Sequence, residues 1–350
     1  ASNLSARHDG AKSKLKNLVL RRARADDMKF LLELGEVYKG RDHFNLQLHG
    51  HLNNWMCYPV VAEIDGLVVG FEVSEIIDGG RGVMKRSARV APSHRKMGLL
   101  HIMDFHLDDW ARATLPGLKH ELMSVVDKTY EKVAKEFTHL GYSLAWRQDV
   151  RVLLFDTKDF KGVDEKQETP YTVSPLTHED LRHLFQCSAV VDKLFPNKLL
   201  LLYGVGCGAL AENIFYMKTP GRDVFGSSAT PAMSETPTNY WYQRNFTDDM
   251  ITTADMLTFA YNYTGDLGLI YIIDIYAAEG CPERALREHI RYHLRTICRL
   301  NRGGGLFGLG VNQHVTVEHV LAILKEHGIE TPLPNSEIAN VLVKRDVGSA

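Results

Sequence analysis

Residues 89–110 read RVAPSHRKMGLLHIMDFHLDDW, the end of a strand, a short turn and the start of a helix. The turn holds Arg95, Lys96, Met97 and Gly98. A helix start leaves several backbone N–H groups without partners inside the helix. It also carries about half a positive charge, and an anion placed there answers both. Gly98 has no Cβ and lets the backbone come close, while Arg95 and Lys96 add charge and donors. The turn therefore suits a phosphate or pyrophosphate. The same letters also fit a basic turn before an ordinary helix, so the neighbouring elements decide between the two.

Upstream, Asn17 to Ala23 reads as a strand and Asp26 to Leu34 as a helix with Met28, Leu31, Leu32 and Leu34 apolar. Tyr38 to Asn53 holds a loop and a second short helix. Val60 to Glu63 and Leu67 to Ile76 flank Ile64-Asp65-Gly66, a strong hairpin signal. Val83 to Val90 is a strand. Downstream come a helix over Leu99 to Ala113, a strand over Glu121 to Val126 and a helix over Thr129 to Leu140, stopped by Gly141. Ser143 to Phe155 completes the set as one or two strands. The order is β-α-α-β-β-β-α-β-α-β.

A polar stretch over 157–173 reads as a linker. Beyond it YTVSPLTHEDLRHLF matches the plan of LRRARADDMKFLLEL in the first half, and Thr177 and Asp180 have capping-box spacing. Leu267 to Tyr276 and Pro282 to Leu300 again read as strand then helix. These echoes indicate a degenerate internal repeat. The expected division is a tail over 1–16, a first domain over 17–156, the linker over 157–173 and a second domain over 174–350. Met217 to Asn239 reads as a long irregular loop.

The 350 residues suit two domains. A formal net charge of −2 provides no general field for nucleic acid, and no apolar run reaches the length of a membrane span. The five cysteines are scattered with no CxxC pair, which fits a reducing, cytoplasmic setting and no zinc ribbon.

The element order around Arg95 resembles the GNAT acetyltransferase superfamily, which carries [Q/R]-x-x-G-x-[G/A] between its fourth strand and third helix. Arg95-Lys96-Met97-Gly98-Leu99-Leu100 matches at Arg95 and Gly98, and Leu100 departs from Gly/Ala. The expected fold is α+β with a mixed sheet, a GNAT fold followed by a degenerate GNAT-like domain. The resemblance implies acetyl-CoA as co-substrate and no metal. Backbone N–H groups of Arg95, Lys96, Met97, Gly98, Leu99 and Leu100 would hold its pyrophosphate, and the Arg89-Val90-Ala91 strand edge its pantetheine arm. Within the superfamily the chain looks most like histidine N-acetyltransferases. Tyr38-Lys39-Gly40-Arg41-Asp42, Phe71-Glu72, Ile77-Asp78, Arg89-Val90-Ala91-Pro92 and, more weakly, DKLFPNKLLL carry that likeness. Arg86 stands where an acidic or neutral residue is expected. The implied acceptor is a small amine or free amino acid, L-histidine favoured; another amine and a non-catalytic acyl-CoA-binding protein are the alternatives.

Acetyl transfer needs a neutral amine beside a thioester. An α-amino group titrating near 8 is about one-tenth neutral at pH 7, whereas orientation contributes about 7–11 kcal/mol. Candidate catalytic residues are Glu72 on a strand, Asp127 after the fifth strand and Tyr130. Asp42 would face the substrate ammonium, with Tyr38 nearby, and Arg86 or Arg89 its carboxylate. Phe137 stands where many GNAT enzymes place a tyrosine, and Tyr130 and Tyr142 are the stand-ins for that hydroxyl. Elsewhere, the glycines of YGVGCGALAEN lack the acidic partner of a dinucleotide site. His289 and His293 read as a solvated helix face, as do His101, Asp104, Asp108 and Asp109. Gly303 to Gly310 reads as a flexible turn into a strand. In the second repeat's turn Glu279 and Glu283 would repel a pyrophosphate, and Pro282 lacks an N–H to offer it.

Overall fold

The computed structural model describes residues 15–34, 44–161, 163, 172–175, 185–202, 207–210, 238–243, 255–312, 314–334 and 338–348. Their contacts form two compact units: 15–123 with 345–348, and 124–344.

In the first unit the strands are β1 (Leu18–Arg22), β2 (Cys57–Ile64), β3 (Leu67–Ile77), β4 (Gly82–Val90) and the start of β5 (His120–Val126), side by side in that order. The first four pair antiparallel and β4 pairs β5 parallel. Asp65 and Gly66 close the β2–β3 hairpin with φ of 51° and 81°, the left-handed pair that a two-residue turn requires. Alternation along the strands sorts the apolar residues onto two faces. Val61, Phe71 and Val73 pack with Leu31 of helix α1 (Met28–Glu33) and with Phe44 and Leu48 of α2 (Phe44–Asn53). Val60, Ala62 and Val69 pack with Ile102, Met103 and Leu107 of α3 (Leu99–Thr114). Helices therefore cover both faces.

The second unit opens with α4 (Asp127–His139), which begins two residues before its expected start, and β6 (Ser143–Asp156), one continuous strand. It also holds β7 (Thr172–Pro175), α5 (Ser188–Leu194), and β8 (Leu199–Leu202) paired with β9 (Cys207–Leu210). Then follow β10 (Thr238–Gln243), β11 (Met256–Gly265), β12 (Gly268–Ala277), α6 (Glu283–Leu300), β13 (Gly304–Val311), α7 (Val317–Glu326), β14 (Thr331–Pro332) and β15 (Ile338–Asp346). Its sheet runs β15-β6-β13-β12-β11-β10-β7, with β12 and β13 parallel across the α6 crossover. Hairpin, crossover helix and parallel strand thus occur twice, as β3–β4–α3–β5 and β11–β12–α6–β13. Thr177, Asp180 and most of 217–239 lie outside the described residues.

Two expectations for this unit are corrected. His289 and His293 are fully buried, not solvated: they share the face of α6 that buries Leu286, Ile290, Leu294 and Ile297. The Thr258 hydroxyl lies 3.0 Å from both rings and Tyr271 OH 2.9 Å from His293, so β11 and β12 bring hydroxyl partners to rings that the helix sequence alone presents as surface. Burial lowers His289 to about 3, and burial followed by His289 lowers His293 well below its usual value, so both are neutral. Gly304, Gly305, Gly308 and Gly310 belong to β13 itself. A Cβ on Gly305 would lie 2.0 Å from Leu269 O, and one on Gly310 2.4 Å from Asp274 Oδ1; close approach is what these glycines permit. Among the described residues no helix is long and apolar enough to cross a membrane.

Candidate active site

The site starts from an irregularity in β4. Phe71 pairs with Arg89 and Val73 with Arg86, so Ser87 and Ala88 oppose the single residue Glu72. Ser87 takes φ of 59°, a left-handed conformation uncommon outside glycine. Such a bulge bends its strand and ends regular pairing. Accordingly the parallel ladder between β4 and β5 runs from Gly82↔His120 to Lys85↔Met123 and stops, while β4 continues to Val90. Val90 is buried, and Ala91 N donates to Val69 O at 2.8 Å, holding the chain to β3 as it leaves the strand.

The quoted turn follows. Pro92–His94 form one 3-10 turn, and Arg95 Nε donates back to Val90 O at 3.1 Å. Lys96 and Gly98 have φ of 67° and 80°. Gly98 is the N-cap of α3, no side chain caps the helix start, and no acidic residue occupies its first turn. Leu99 enters the core; Met97 and Leu100 are 44% and 43% exposed. The turn thus presents N–H groups, Arg95 and Lys96, with no acidic residue in the first turn of the helix that follows. That donor set fits the pyrophosphate of acetyl-CoA, which Arg95 to Leu100 would hold.

The bulge also decides which side chains share a face. Arg86 and Arg89, three positions apart, both reach α2. Arg86 donates to Glu75 Oε2 at 3.0 Å and to Gln47 Oε1 at 2.9 Å, so its charge is already matched. The Arg89 guanidinium lies 4.0 Å from the ring centre of Phe44 and is buried. One turn after Gln47, His51 places Nε2 3.4 Å from Ser87 Oγ and Nδ1 4.0 Å from Cys57 Sγ. Gln47, His51, Glu75 and Ser87 were not among the expected site residues. The Gln47/His51 spacing on one helix was the only local hint.

Glu72 lies on the other face, under α3. Beside it sits a cluster that the sequence presents as solvated helix surface: Asp104 and Asp108 are buried, whereas His101 and Asp109 are exposed. Lys85, fully buried, bonds Asp104 at 2.5 Å and also Asp108, with Glu121 at 3.5 Å. Arg345 bonds Asp108 at 2.5 Å and also Glu121. Burial would raise Asp108, but Lys85 and Arg345 outweigh it and hold that carboxylate below its usual range. Glu72 has no such partner: its Oε2 makes no hydrogen bond among the described residues. Burial first, then the negative charge of Asp104 and Asp108, raises its carboxyl well above the usual range against the pull of Lys85.

Asp127 and Tyr130 fall in the second unit. Asp127 opens α4, accepts from Lys128 N at 2.8 Å and sits 3.4 Å from Arg147. Tyr130 stacks on Phe137, which also meets Tyr142 edge-on. Tyr38 and Asp42 lie outside the described residues. The second unit's equivalent turn is unlike the first: Pro282 caps α6, and Glu283 in its first turn is bonded to Arg287. There β12 and β13 stay paired to Ile275↔Val311, with no parting of the strands.

No family model matches the chain. A parted β4 edge, a bulge and an uncapped α3 start define the GNAT fold, here followed by a second GNAT-like domain. The fold is shared with a tandem GNAT protein from the clavulanic acid biosynthesis pathway, at a TM-score of 0.58 and 13% identity over 95% of this chain and 99% of that one. It is shared too with a GCN5-related N-acetyltransferase from Sphaerobacter thermophilus, at 0.51 and 10% over 96% and 97%. In sequence, the histidine N-acetyltransferase of Xenopus tropicalis is 26% identical over 172 residues, 47% of this chain and 52% of the relative. The match thus spans about half the relative's length.

Proposed function

We propose that the chain is an N-acetyltransferase that moves an acetyl group from acetyl-CoA to the amine of a free amino acid, L-histidine first, by direct transfer in a ternary complex. The observation that carries this reading is the first unit's junction of a parted β4 edge with an α3 start that has donors and no anion of its own. Acetyl-CoA, when bound, supplies an activated acyl group. Arg95 to Leu100 hold its diphosphate end, and the Arg89-Val90-Ala91 edge aligns the arm toward the bulge. The sequence likeness to a histidine N-acetyltransferase supports the acceptor class.

Arg86 and Arg89 give the acceptor face its positive character. Glu75 neutralises Arg86, so Arg89 is the better partner for a substrate carboxylate. One such charge-assisted contact contributes about 1.5–3 kcal/mol, roughly a 10–150-fold preference for L-histidine over histamine if it persists in the transition state. Glu72, on the opposite face and held toward its protonated form, is less suited to take the amine's proton than its position beside the bulge first implies.

The test is thiol release from acetyl-CoA with a panel of amino acids and amines. L-histidine is expected to lead histamine. Equal kcat/KM for the two would make the protein a general amine acetyltransferase. Acetyl-CoA binding without release for any acceptor would make it an acyl-CoA-binding protein, the reading that Leu100, Phe137 and Arg86 favour.

A further inference from the structure

The reactions of an amine acetyltransferase require a group that takes the proton of the acceptor ammonium. Asp127 and Tyr130 belong to the second unit, and Glu72 faces α3. On the acceptor face the structure offers a different set at the bulge. Ser87 is the residue whose backbone is left-handed, a conformation that costs energy and concentrates at functional sites. Its half-buried hydroxyl lies 3.4 Å from His51 Nε2. His51 itself is 5% exposed and held on α2, whose Phe44 and Leu48 are packed in the core. Its other nitrogen faces Cys57 Sγ at 4.0 Å, and that sulfur accepts from Asn54 Nδ2 at 3.2 Å. With the proton on Nδ1 and turned to the sulfur, Nε2 keeps its lone pair for the Ser87 hydroxyl.

We propose that Ser87 and His51 form the proton relay of the acetyl transfer, with Ser87 contacting the acceptor amine and His51 as terminal base. The inference rests on the transferase reading above and names the base of that same site. The acceptor ammonium gives one proton to Ser87 Oγ as the Ser87 hydroxyl proton passes to Nε2, leaving a neutral amine and an imidazolium. The N–C bond then forms and the C–S bond breaks. The amine's second proton leaves with the sulfur as thiol, and the imidazolium returns its proton to water. Among the described residues, Arg86 and Arg89 on β4 and Glu75 on β3 are the charged groups that meet α2 or pair beside it, the Cys57 thiol adjoins His51 from β2, and Arg21, Asp27 and Glu63 form a separate ion-paired group at β1. The two guanidiniums disfavour an imidazolium and Glu75, paired with Arg86, favours it.

The experiment compares the unmutated full chain with His51→Gln and Ser87→Ala, measuring thiol release and acetyl-CoA affinity from pH 6 to 9. The unmutated protein is expected to show an acidic limb in kcat/KM. His51→Gln should lose about 10²–10⁴-fold in kcat, keep its acetyl-CoA affinity, and replace that limb with a rate that climbs steadily with pH. Ser87→Ala should lose at least tenfold in kcat, again with affinity intact. It also covers the case in which His51→Gln fails to fold, which its thermal unfolding curve reveals. Unchanged kcat and pH profile in either folded variant overturns the relay while the transferase reading stands. Absence of thiol release from the unmutated chain with every amine overturns both.

Discussion

Mild acid should loosen the second unit and spare the first, because the two units bury ionisable groups of opposite response. In the second unit His289 and His293 are neutral and fully buried, His289 at about 3 against 6.5 when unfolded. Below pH 6.5 the unfolded chain takes up protons that the folded chain refuses. The stabilising contribution is therefore complete above that pH and is lost as pH falls. Each pH unit costs about 1.4 kcal/mol per proton refused, so by pH 5.0 His289 has cost about 2 kcal/mol, and His293 acts in the same direction. Against a typical stability of about 5–15 kcal/mol that is a large fraction. In the first unit Glu72 runs the other way: its folded value is raised above the ordinary 4.5. As pH falls toward 4.5, the penalty of keeping it protonated in the fold disappears. Hydrogen exchange followed by mass spectrometry, corrected for the intrinsic pH dependence of exchange, resolves the two. The opening free energy of amides in β12 should drop steeply between pH 6.5 and 5.0, and that of amides in β3 should not. A His289→Gln/His293→Gln variant should flatten the β12 profile. A flat profile in the unmutated protein, or an equal drop in the variant, would refute the reasoning.

Gly98→Glu puts a side chain on a residue with φ of 80° and a negative charge at the α3 start; calorimetry should show acetyl-CoA affinity at least tenfold weaker, a factor of roughly 1.4 kcal/mol, and unchanged affinity would remove the turn from the binding site. Lys85→Met strips the cation from Asp104 and Asp108, and urea unfolding should record a loss of about 3–5 kcal/mol; a loss below about 1 kcal/mol would show that the cluster protonates instead of holding the fold. Calorimetric titration should give one acetyl-CoA per chain, because the second unit has Glu283 at the helix start and no parted strands; a stoichiometry of two contradicts this.

The parts of the molecule legible in its sequence were those fixed by short-range rules. Asp65-Gly66 announced a hairpin because few other residue pairs tolerate two consecutive left-handed positions. The helix after Gly98 and the recurrence of its plan near Leu267 could be read without knowing any contact. What escaped was set by partners far along the chain. Asp104 and Asp108, one turn apart on a helix, look like a wet face until Lys85 arrives from β4 and Arg345 from 237 residues beyond Asp108. His289 and His293 look the same until β11 and β12 supply hydroxyls.

The face that carries Arg86 and Arg89 was hidden for a different reason. Simple alternation puts residues three apart on opposite faces of a strand, so Arg86 and Arg89 would not act together. The bulge adds one residue to β4 and returns Arg89 to the side of Arg86; the Ser87 that makes this possible is an ordinary letter in the sequence. The same bulge leaves Glu72 opposite it, on the side where the buried acids gather. Lys85 then ties the strand to α3. It is the last residue of β4 in the ladder with β5 and also the cation clamped by Asp104 and Asp108 of α3. The point from which β4 parts from β5 is thus fixed to the helix that the Arg95–Leu100 turn opens. An ion cluster in which desolvation offsets much of the attraction also joins the strand that leaves its ladder at Lys85 to the helix that follows the Arg95–Leu100 turn.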